Sequence, residues 1–331
     1  MYFTDSMENW YGRVDSHTEY EAFRWHQIVE PVDLEKAVYF TGRKAFVFIG
    51  FCSEQGVERN KGRIGAAAAP DFIRRQMANM PCTFSEEVKM YDAGNILCDD
   101  ISLEEGQRRL SEAVKKALEL NMFPVVLGGG HGTAFGHYMG IRNYYKESAD
   151  HRDIGIINFD AHFDIRPYDN GNTSGTMFRQ IADICHREGD AFNYMPIGRQ
   201  QHSNTVSLFN KAKELGVDYI LARDIQTGTY LDIIEQVDSF VFDRQSLYIT
   251  ICADVFSSAF APGVSATQSL GLDPEVVLPI LRHILRTRKT AGFDICEVAP
   301  RFDQDNTTAN LAAVIIFTVV NTICESMDLS L

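Results

Sequence analysis

The sequence predicts an α/β fold: a single domain with an open, mostly parallel sheet and helices on both faces. Three observations carry this expectation. Apolar runs of strand length recur along the chain, amphipathic segments of helix length lie between them, and residues able to do chemistry follow several runs directly. Continuous rather than alternating apolar strands are covered on both faces, as in parallel sheets. Their alternation with helical patterns is the signature of α/β architecture.

Taken in order, the predicted strands are Ala45–Phe51 (AFVFIGF), Phe123–Leu127 (FPVVL), Ile154–Phe159 (IGIINF), Tyr219–Leu221 (YIL), Leu247–Ile251 (LYITI) and Phe293–Cys296 (FDIC). Helical segments are expected over Ala69–Met80, Leu103–Leu120, Ser207–Leu215 and Pro274–Arg288. Residues 1–40, with Trp10, Trp25 and His26, read as an irregular or helical arm lying on the domain formed by 41–331. No repeat, low-complexity tract or long linker interrupts this order.

Composition narrows the function classes. The chain has 331 residues, 45% hydrophobic and 23% charged, enough for one large core. A net charge of -14 argues against general nucleic-acid binding, because no positive field would gather phosphate. No run approaches about 18 uninterrupted apolar residues, so no membrane helix is expected. The first residues lack a basic stretch followed by an apolar core, so no signal peptide is expected. The seven cysteines, Cys52, Cys82, Cys98, Cys185, Cys252, Cys296 and Cys324, are scattered and form no CxxC pair. Free thiols in a reducing cytoplasm are the expectation.

In open α/β sheets, ligands bind beyond the carboxyl ends of the strands. FPVVL is followed by Gly128-Gly129-Gly130-His131-Gly132-Thr133. IGIINF is followed by Asp160, His162 and Asp164, LYITI by Cys252 and Asp254, and FDIC by Glu297. Each cluster alone has an ordinary reading: a histidine after a glycine turn is commonly structural, and a strand-end aspartate is commonly a helix N-cap. Together they bring imidazole, carboxylate and thiol groups to one sheet edge. Such donors suit divalent metals, and paired metals can activate water at neutral pH. The glycine turn allows close backbone approach at His131. An irregular turn in DAHFD would let its three side chains reach one cluster.

The segments GGGHGT, NFDAHFD and CAD…APG resemble the three signatures of the arginase/agmatinase (ureohydrolase) superfamily. GRVDS…RWHQIV, GFCSEQGVERNKGRIGAAAAPDFIRR, DAHFDIR, TSGTMFRQI, HSNT and APGVSA are similar to its formimidoylglutamase branch. The resemblance spans most of the chain. It implies an arginase-like three-layer sandwich and two Mn2+ ions per subunit, and it is compatible with a homo-oligomer. It also implies hydrolysis of N-formimidoyl-L-glutamate to L-glutamate and formamide, in histidine degradation, by water activated at the metals. His131, Asp160, His162, Asp164, Cys252 and Asp254 take the metal-ligand positions, with Asp160 bridging. Asp164 and Glu297 take catalytic positions, Glu297 also receiving the amidine-like group.

Two positions depart from the superfamily pattern. Its Asp-x-Asp segment, aligned on the spacing from Asp254 to Pro262, places Cys252 where the first bridging aspartate stands. A thiolate is softer than manganese prefers. Either Cys252 bridges and the site tolerates softer metals, or it stands back and one ion is labile. A Cys52–Cys252 disulfide under oxidising conditions is a further expectation to test. Phe178 occupies the position of the arginase proton-shuttling histidine, which disfavours arginine as substrate. Two rival readings follow: another amidine or guanidine hydrolase, and a metal-impaired non-catalytic relative.

The implied substrate is a small dianion, so cationic groups are expected beside the metals. Arg166, two residues past Asp164, could bind a carboxylate bidentately, or serve in a structural ion pair. Thr173, Ser174 and Gly175 could supply loop donors, as could Ser203-Asn204-Thr205, where an N-cap is equally expected. Arg199 and Arg63 are weaker cationic candidates. His26, His137, His151, His186, His202 and His283 show no ligand spacing and read as packing or surface residues.

Overall fold

The computed structural model describes residues 6–148 and 152–331; His151 and the first five residues of the arm lie outside the described residues. The sheet has nine strands: β1 (Val29–Pro31), β2 (Lys44–Cys52), β3 (Val88–Leu97), β4 (Phe123–Leu127), β5 (Ile154–Phe159), β6 (Asn193–Arg199), β7 (Ile220–Leu221), β8 (Ser246–Cys252) and β9 (Thr290–Cys296). Their spatial order is β1-β3-β2-β4-β9-β8-β5-β6-β7, and every pairing is parallel. The predicted parallel α/β fold is what the structure shows.

The helices are α1 (Gln55–Arg59), α2 (Ala69–Met77), α3 (Leu103–Glu119), α4 (Thr133–Glu147), α5 (Met177–Glu188), α6 (Val206–Glu214), α7 (Ala222–Thr227), α8 (Tyr230–Phe242), α9 (Pro274–Arg286) and α10 (Thr307–Ser326). Two hydrophobic clusters lie on opposite faces of the sheet. One packs α2, α9 and α10, and the other packs α3, α4 and α5. Strand β5 feeds both: Ile157 and Phe159 face the first, Ile154 and Ile156 the second. That two-sided burial is why its sequence is continuously apolar.

One helix qualifies the membrane-helix expectation. α10 is long and apolar enough to cross a membrane by length and composition, with a mean hydropathy of 1.7 over its best 18-residue window. Thr and Asn residues interrupt its apolar run without lowering the average enough. Two thirds of that window (67%) is buried inside the protein, where α10 packs on α2 and α9.

Three strands escaped the sequence reading. β3 carries Asp92 and Asn95 among its buried residues, so its pattern looks polar. β6 contains Pro196 and Gly198, both unfavourable inside a strand. It pairs with β7 only from Ile197 onward, so the Pro196 nitrogen lacks a ladder partner on that flank. β1 lies within the stretch read as an arm, so the sheet begins there. Among the described residues of that stretch, single-turn 3-10 helices lie at Met7–Asn9, Tyr20–Ala22 and Trp25–Gln27, and Trp10 and Trp25 are buried.

The arm is tied down by a buried ion pair. Arg74 and Asp92 are both fully buried, with Nε to Oδ2 at 2.7 Å. Arg74 also donates to Asn95 Oδ1 at 2.6 Å and to the Gly94 carbonyl, while Trp10 Nε1 donates to Asp92 Oδ2 at 2.5 Å. Burial alone would raise the Asp92 pKa, but the Arg74 charge and the donated hydrogen bonds hold it below the usual value.

Removing one partner of such a pair leaves the other charge buried and unpaired. Arg74→Ala should destabilise the protein by about 3–5 kcal/mol, measured by denaturant unfolding. The folded Asp92 pKa lies below its unfolded value of about 4, so the pair's contribution is complete above that pH and is lost as pH falls through the folded value. Wild type should therefore lose more stability than Arg74→Ala on acidification below about pH 4. Equal acid sensitivity would remove the pair from this role.

Candidate metal centre

Strands β4, β9, β8 and β5 are four adjacent members of the sheet's centre. Each delivers one of the predicted clusters, so the parallel direction brings all of them to the same edge. Two triplets of donors result. Donor atoms of His131, Asp160 and Cys252 lie within 4.8 Å of one another, and so do those of Asp160, His162 and Asp254. Asp160 belongs to both. Asp164 joins the first triplet, its Oδ2 standing 3.1 Å from His131 Nδ1.

The backbone is bent to make this arrangement. Asp160 still pairs with β6 through its N–H to the Ile197 carbonyl, but Asp164 has φ 50°. Glu297 has φ 66° just past β9. Left-handed geometry at non-glycine residues is costly and collects at functional sites. Here it turns two carboxylates back towards the sheet edge. At the glycine turn, the Gly130 N–H reaches the Ser53 carbonyl and the Gly129 carbonyl accepts from the Glu297 N–H at 2.8 Å. A Cβ at Gly129 would run into the Ser53 carbonyl oxygen, so this approach requires glycine.

Asn204, from HSNT, fastens the DAHFD turn. Its side chain accepts from the Phe163 N–H and donates to the carbonyls of Ala161 and Gln200. Ser203 donates to Gln268, and Thr205 precedes α6 without a side-chain cap bond. These three residues build the scaffold, and none lines the cavity described below. Of the two readings left open for this segment, loop donors or an N-cap, Thr205 takes the N-cap position of α6 and Asn204 is committed to the turn.

A buried polar network stands behind His131. Thr250 Oγ1 donates to Asp294 Oδ1 at 2.5 Å, so the same hydroxyl can only accept from His131 Nε2, 3.0 Å away. One ring proton is thus assigned to Nε2, which leaves Nδ1, facing the carboxylates, as the nitrogen that takes either a second proton or a metal ion. Outer-shell partners set histidine ligand tautomers in this way. Asp294 is completed by Tyr248, whose hydroxyl donates at 2.5 Å, and by His137 Nδ1 at 2.7 Å. His137 therefore packs as expected, but in a network continuous with the site. Sequence reasoning missed Thr250 and Asp294; their signal was a polar residue inside each of two buried strands.

Charges in the cluster are strongly coupled. Burial disfavours a charged His131 ring, yet Asp160 and Asp164 outweigh it and lift the pKa to about 10. Burial likewise opposes ionisation of Asp160, but Arg199, His131 and His162 hold it well below the usual carboxylate range. Burial and the Asp160 charge raise Asp164. Burial and the carboxylates of Asp254 and Asp160 push the Cys252 thiol up. The space between the His131 imidazole nitrogen and the two carboxylate oxygens 3.1 Å away can be filled by a ring proton or by a metal ion. The donor set of imidazole, carboxylate and thiol fits two divalent metal ions sharing Asp160.

A cavity of about 310 Å³ opens above the cluster. Its floor includes His131, His162, Asp164, Cys252, Asp254 and Glu297, and its wall carries Lys61, Arg63, Arg166 and Ser174. Glu297 Oε1 accepts from the His131 N–H at 2.7 Å, and burial pushes its pKa up to about 7. Arg166 forms no ion pair among the described residues. A Cβ at Gly175 would stand 3.0 Å from Arg166 Cδ and 3.1 Å from Asn60 Oδ1, so glycine there gives the arginine room. Thr173 and Gly175 do not line the cavity. They shape the loop instead, Thr173 Oγ1 accepting from the Gly175 N–H and the Gly175 carbonyl from the Arg166 N–H.

The other candidate cations are committed. Arg199 is buried beside Asp160, with Nη1 3.6 Å from Oδ1 and Nη2 donating to the Asn158 carbonyl. Arg63 donates to the carbonyls of Val264 and Ser265 and lies over the Phe302 ring. Lys61, at the mouth of the cavity, was not anticipated. Phe178 is buried, stacks on Tyr194 at 4.3 Å and meets the His131 ring edge-on at 5.8 Å. All seven cysteines are free thiols. The Cys52–Cys252 disulfide is ruled out by sheet order: β2 and β8 are three strand spacings apart, about 14 Å, twice the reach of a disulfide.

Comparison with known proteins agrees with this architecture. A family model described as Arginase family matches residues 44–321. A formimidoylglutamase from Clostridium tetani is 54% identical over 325 residues, covering 97% of this chain and 96% of that protein. One from a Geobacillus species is 41% identical, covering 95% and 94%. Among solved structures, formimidoylglutamase from Bacillus subtilis superposes with a TM-score of 0.79 at 20% identity, covering 94% of both chains. Trypanosoma cruzi formiminoglutamase with Mn2+2 gives 0.74 at 22% identity, covering 85% of this chain and 94% of that one. On the extent of the family match and of these identities, the chain belongs to the arginase family.

Proposed function

We propose that this protein hydrolyses the amidine C–N bond of N-formimidoyl-L-glutamate, releasing L-glutamate and formamide, as a step of histidine degradation. The observation that carries this reading is a small cavity with an acidic, imidazole-rich floor and a cationic wall. Lys61 and Arg166 face the space that also holds Glu297 and both donor triplets. A substrate with two carboxylates and one amidinium group matches that polarity. A tail bearing a cation, such as agmatine's, meets like charge. The similarity to proteins named formimidoylglutamase supports the same substrate.

In this reading His131, Asp160, Asp164 and Cys252 would hold one divalent ion, and Asp160, His162 and Asp254 would hold the other. Manganese suits the half made only of nitrogen and oxygen donors. Two bound ions would lower the pKa of the attacking water and oppose the negative charge carried by the oxygen that adds to the formimino carbon. The protein's own groups do the rest. Glu297 Oε1 is engaged by the His131 N–H, which leaves Oε2 to accept from the amidinium and hold its carbon over the triplets. Asp164 is placed to take the proton of the attacking water. Arg166 holds a substrate carboxylate through its paired N–H groups. Phe178 keeps the His131 ring in place and offers no proton path, which separates this site from one built for arginine.

Kinetics on the manganese-loaded protein test the substrate. Formamide release from formimidoylglutamate should greatly exceed urea release from arginine; faster arginine turnover would contradict the reading. Losing a desolvated charge-assisted contact costs about 2–5 kcal/mol, so Arg166→Ala should lower kcat/KM by roughly two orders of magnitude with metal content unchanged. Unchanged kinetics would make Arg166 a structural residue. Metal binding should also stabilise the fold, by about 2.7 kcal/mol at a hundredfold excess over Kd. Asp160→Asn removes a donor from both triplets and should abolish the manganese-induced rise in Tm. If that variant still gains full stabilisation, the shared-carboxylate arrangement is wrong.

A further inference from the structure

The two donor triplets share Asp160 and differ in everything else. One offers the His162 nitrogen and the Asp254 oxygen, and the other offers the His131 nitrogen and the Cys252 sulfur. Nitrogen and oxygen donors accept manganese readily, whereas thiolate sulfur favours softer ions. We infer that the two halves of the centre are chemically unequal, and that Cys252 makes its half a site for a thiophilic divalent ion such as zinc rather than manganese. This inference rests on the binuclear reading of the site.

The structure gives the sulfur little freedom to avoid this role. Cys252 is 1% exposed, and the surface it retains faces the cavity. It closes β8, where its backbone is registered against Cys296 of β9. Thr250, two residues earlier on the same strand face, is fixed by its bonds to Asp294 and His131. The Cys252 side chain therefore projects beside His131, not away from it, and its Sγ keeps company with His131 and Asp160 donor atoms within 4.8 Å.

The remaining donors complete a four-ligand set. His131 Nδ1 has Asp160 Oδ2 and Asp164 Oδ2 both at 3.1 Å. Together with Cys252 they provide one nitrogen, two carboxylates and one sulfur, a combination within the usual ligand types of zinc. The other triplet contains no sulfur: its imidazole faces Asp254 Oδ2 at 3.1 Å, and apart from the shared Asp160 the Cys252 thiol meets it at Asp254. Selection thus arises inside one centre, with a single side chain separating the two positions.

Zinc outcompetes manganese at most nitrogen, oxygen and sulfur sites, so affinity alone decides nothing. The informative quantities are the spectrum of bound cobalt and the change caused by replacing Cys252. Metal-stripped wild type titrated with Co2+ should develop a near-ultraviolet thiolate-to-cobalt charge-transfer band. Cys252→Ser and Cys252→Asp should lack it while keeping the visible bands of bound cobalt. Outer-shell changes already move metal affinity 10–100-fold, so exchanging a direct donor should lower the zinc-to-manganese affinity ratio by at least about tenfold in Cys252→Asp. Its manganese stoichiometry should also rise towards two ions. Cobalt bound by wild type without the charge-transfer band would overturn the inference and leave the binuclear reading standing. So would an unchanged zinc-to-manganese ratio in Cys252→Asp. Failure of both wild type and Cys252→Asp to bind Co2+, Zn2+ or Mn2+ would overturn the binuclear reading and this inference together. Should Cys252→Asp fail to fold, the wild-type cobalt spectrum decides alone.

Discussion

The carboxylate of Asp160 is the point on which the site turns. It sits fully buried at the end of β5, touching His131, His162 and Arg199 through its two oxygens. A buried carboxylate without such partners would not remain ionised. The sheet supplies them because β5 lies beside β8, while β9 and β4 follow on the same flank. Parallel strands end at one edge, so residues far apart in sequence converge there without any long-range search by loops. The fold's contribution to chemistry is mainly this convergence.

A second requirement is rigidity, and the centre of the sheet meets it with hydrogen bonds rather than apolar packing alone. Thr250 and Tyr248 of β8, Asp294 of β9 and His137 of α4 form a connected buried network in elements that otherwise read as core. Buried hydrogen-bond networks favour a single arrangement, and in this one His137 Nε2 is the atom without a partner among the described residues. This one fixes the tautomer of His131. Asn158 and Tyr194 do related work on the other flank, where Asn158 donates to Tyr194 and Tyr194 to the Phe163 carbonyl inside the DAHFD turn. The positive φ of Asp164 is held by contacts on both sides, since its own carbonyl accepts from the Phe178 N–H.

How much of this was legible in the sequence depended on burial. β4 and β5 were read to the residue because both faces of each are covered and every position is buried. β3 and β6 were not, because Asp92, Asn95, Pro196 and Gly198 break the pattern for reasons visible only once their partners are known. α10 hid for the opposite reason: a helix buried around most of its surface has little amphipathic contrast. The donor residues stood out because each follows an apolar run directly. The cavity wall did not. Lys61 comes from a loop after α1, and nothing in its local sequence says that this loop crosses the strand ends of β5 and β8. Asn204 misled because an asparagine before a helix resembles a cap, whereas its side chain is spent on the DAHFD turn.

The central claim is that one carboxylate, Asp160, is shared by two metal positions of different donor chemistry. Anomalous diffraction from crystals of the metal-loaded protein tests it most directly. Two peaks are expected to flank the Asp160 carboxylate, one bounded by His131, Asp164 and Cys252 and the other by His162 and Asp254. Data collected across the zinc and manganese edges should assign the heavier ion to the cysteine side. A single peak, or peaks that leave Asp160 without contact to both, would contradict the claim.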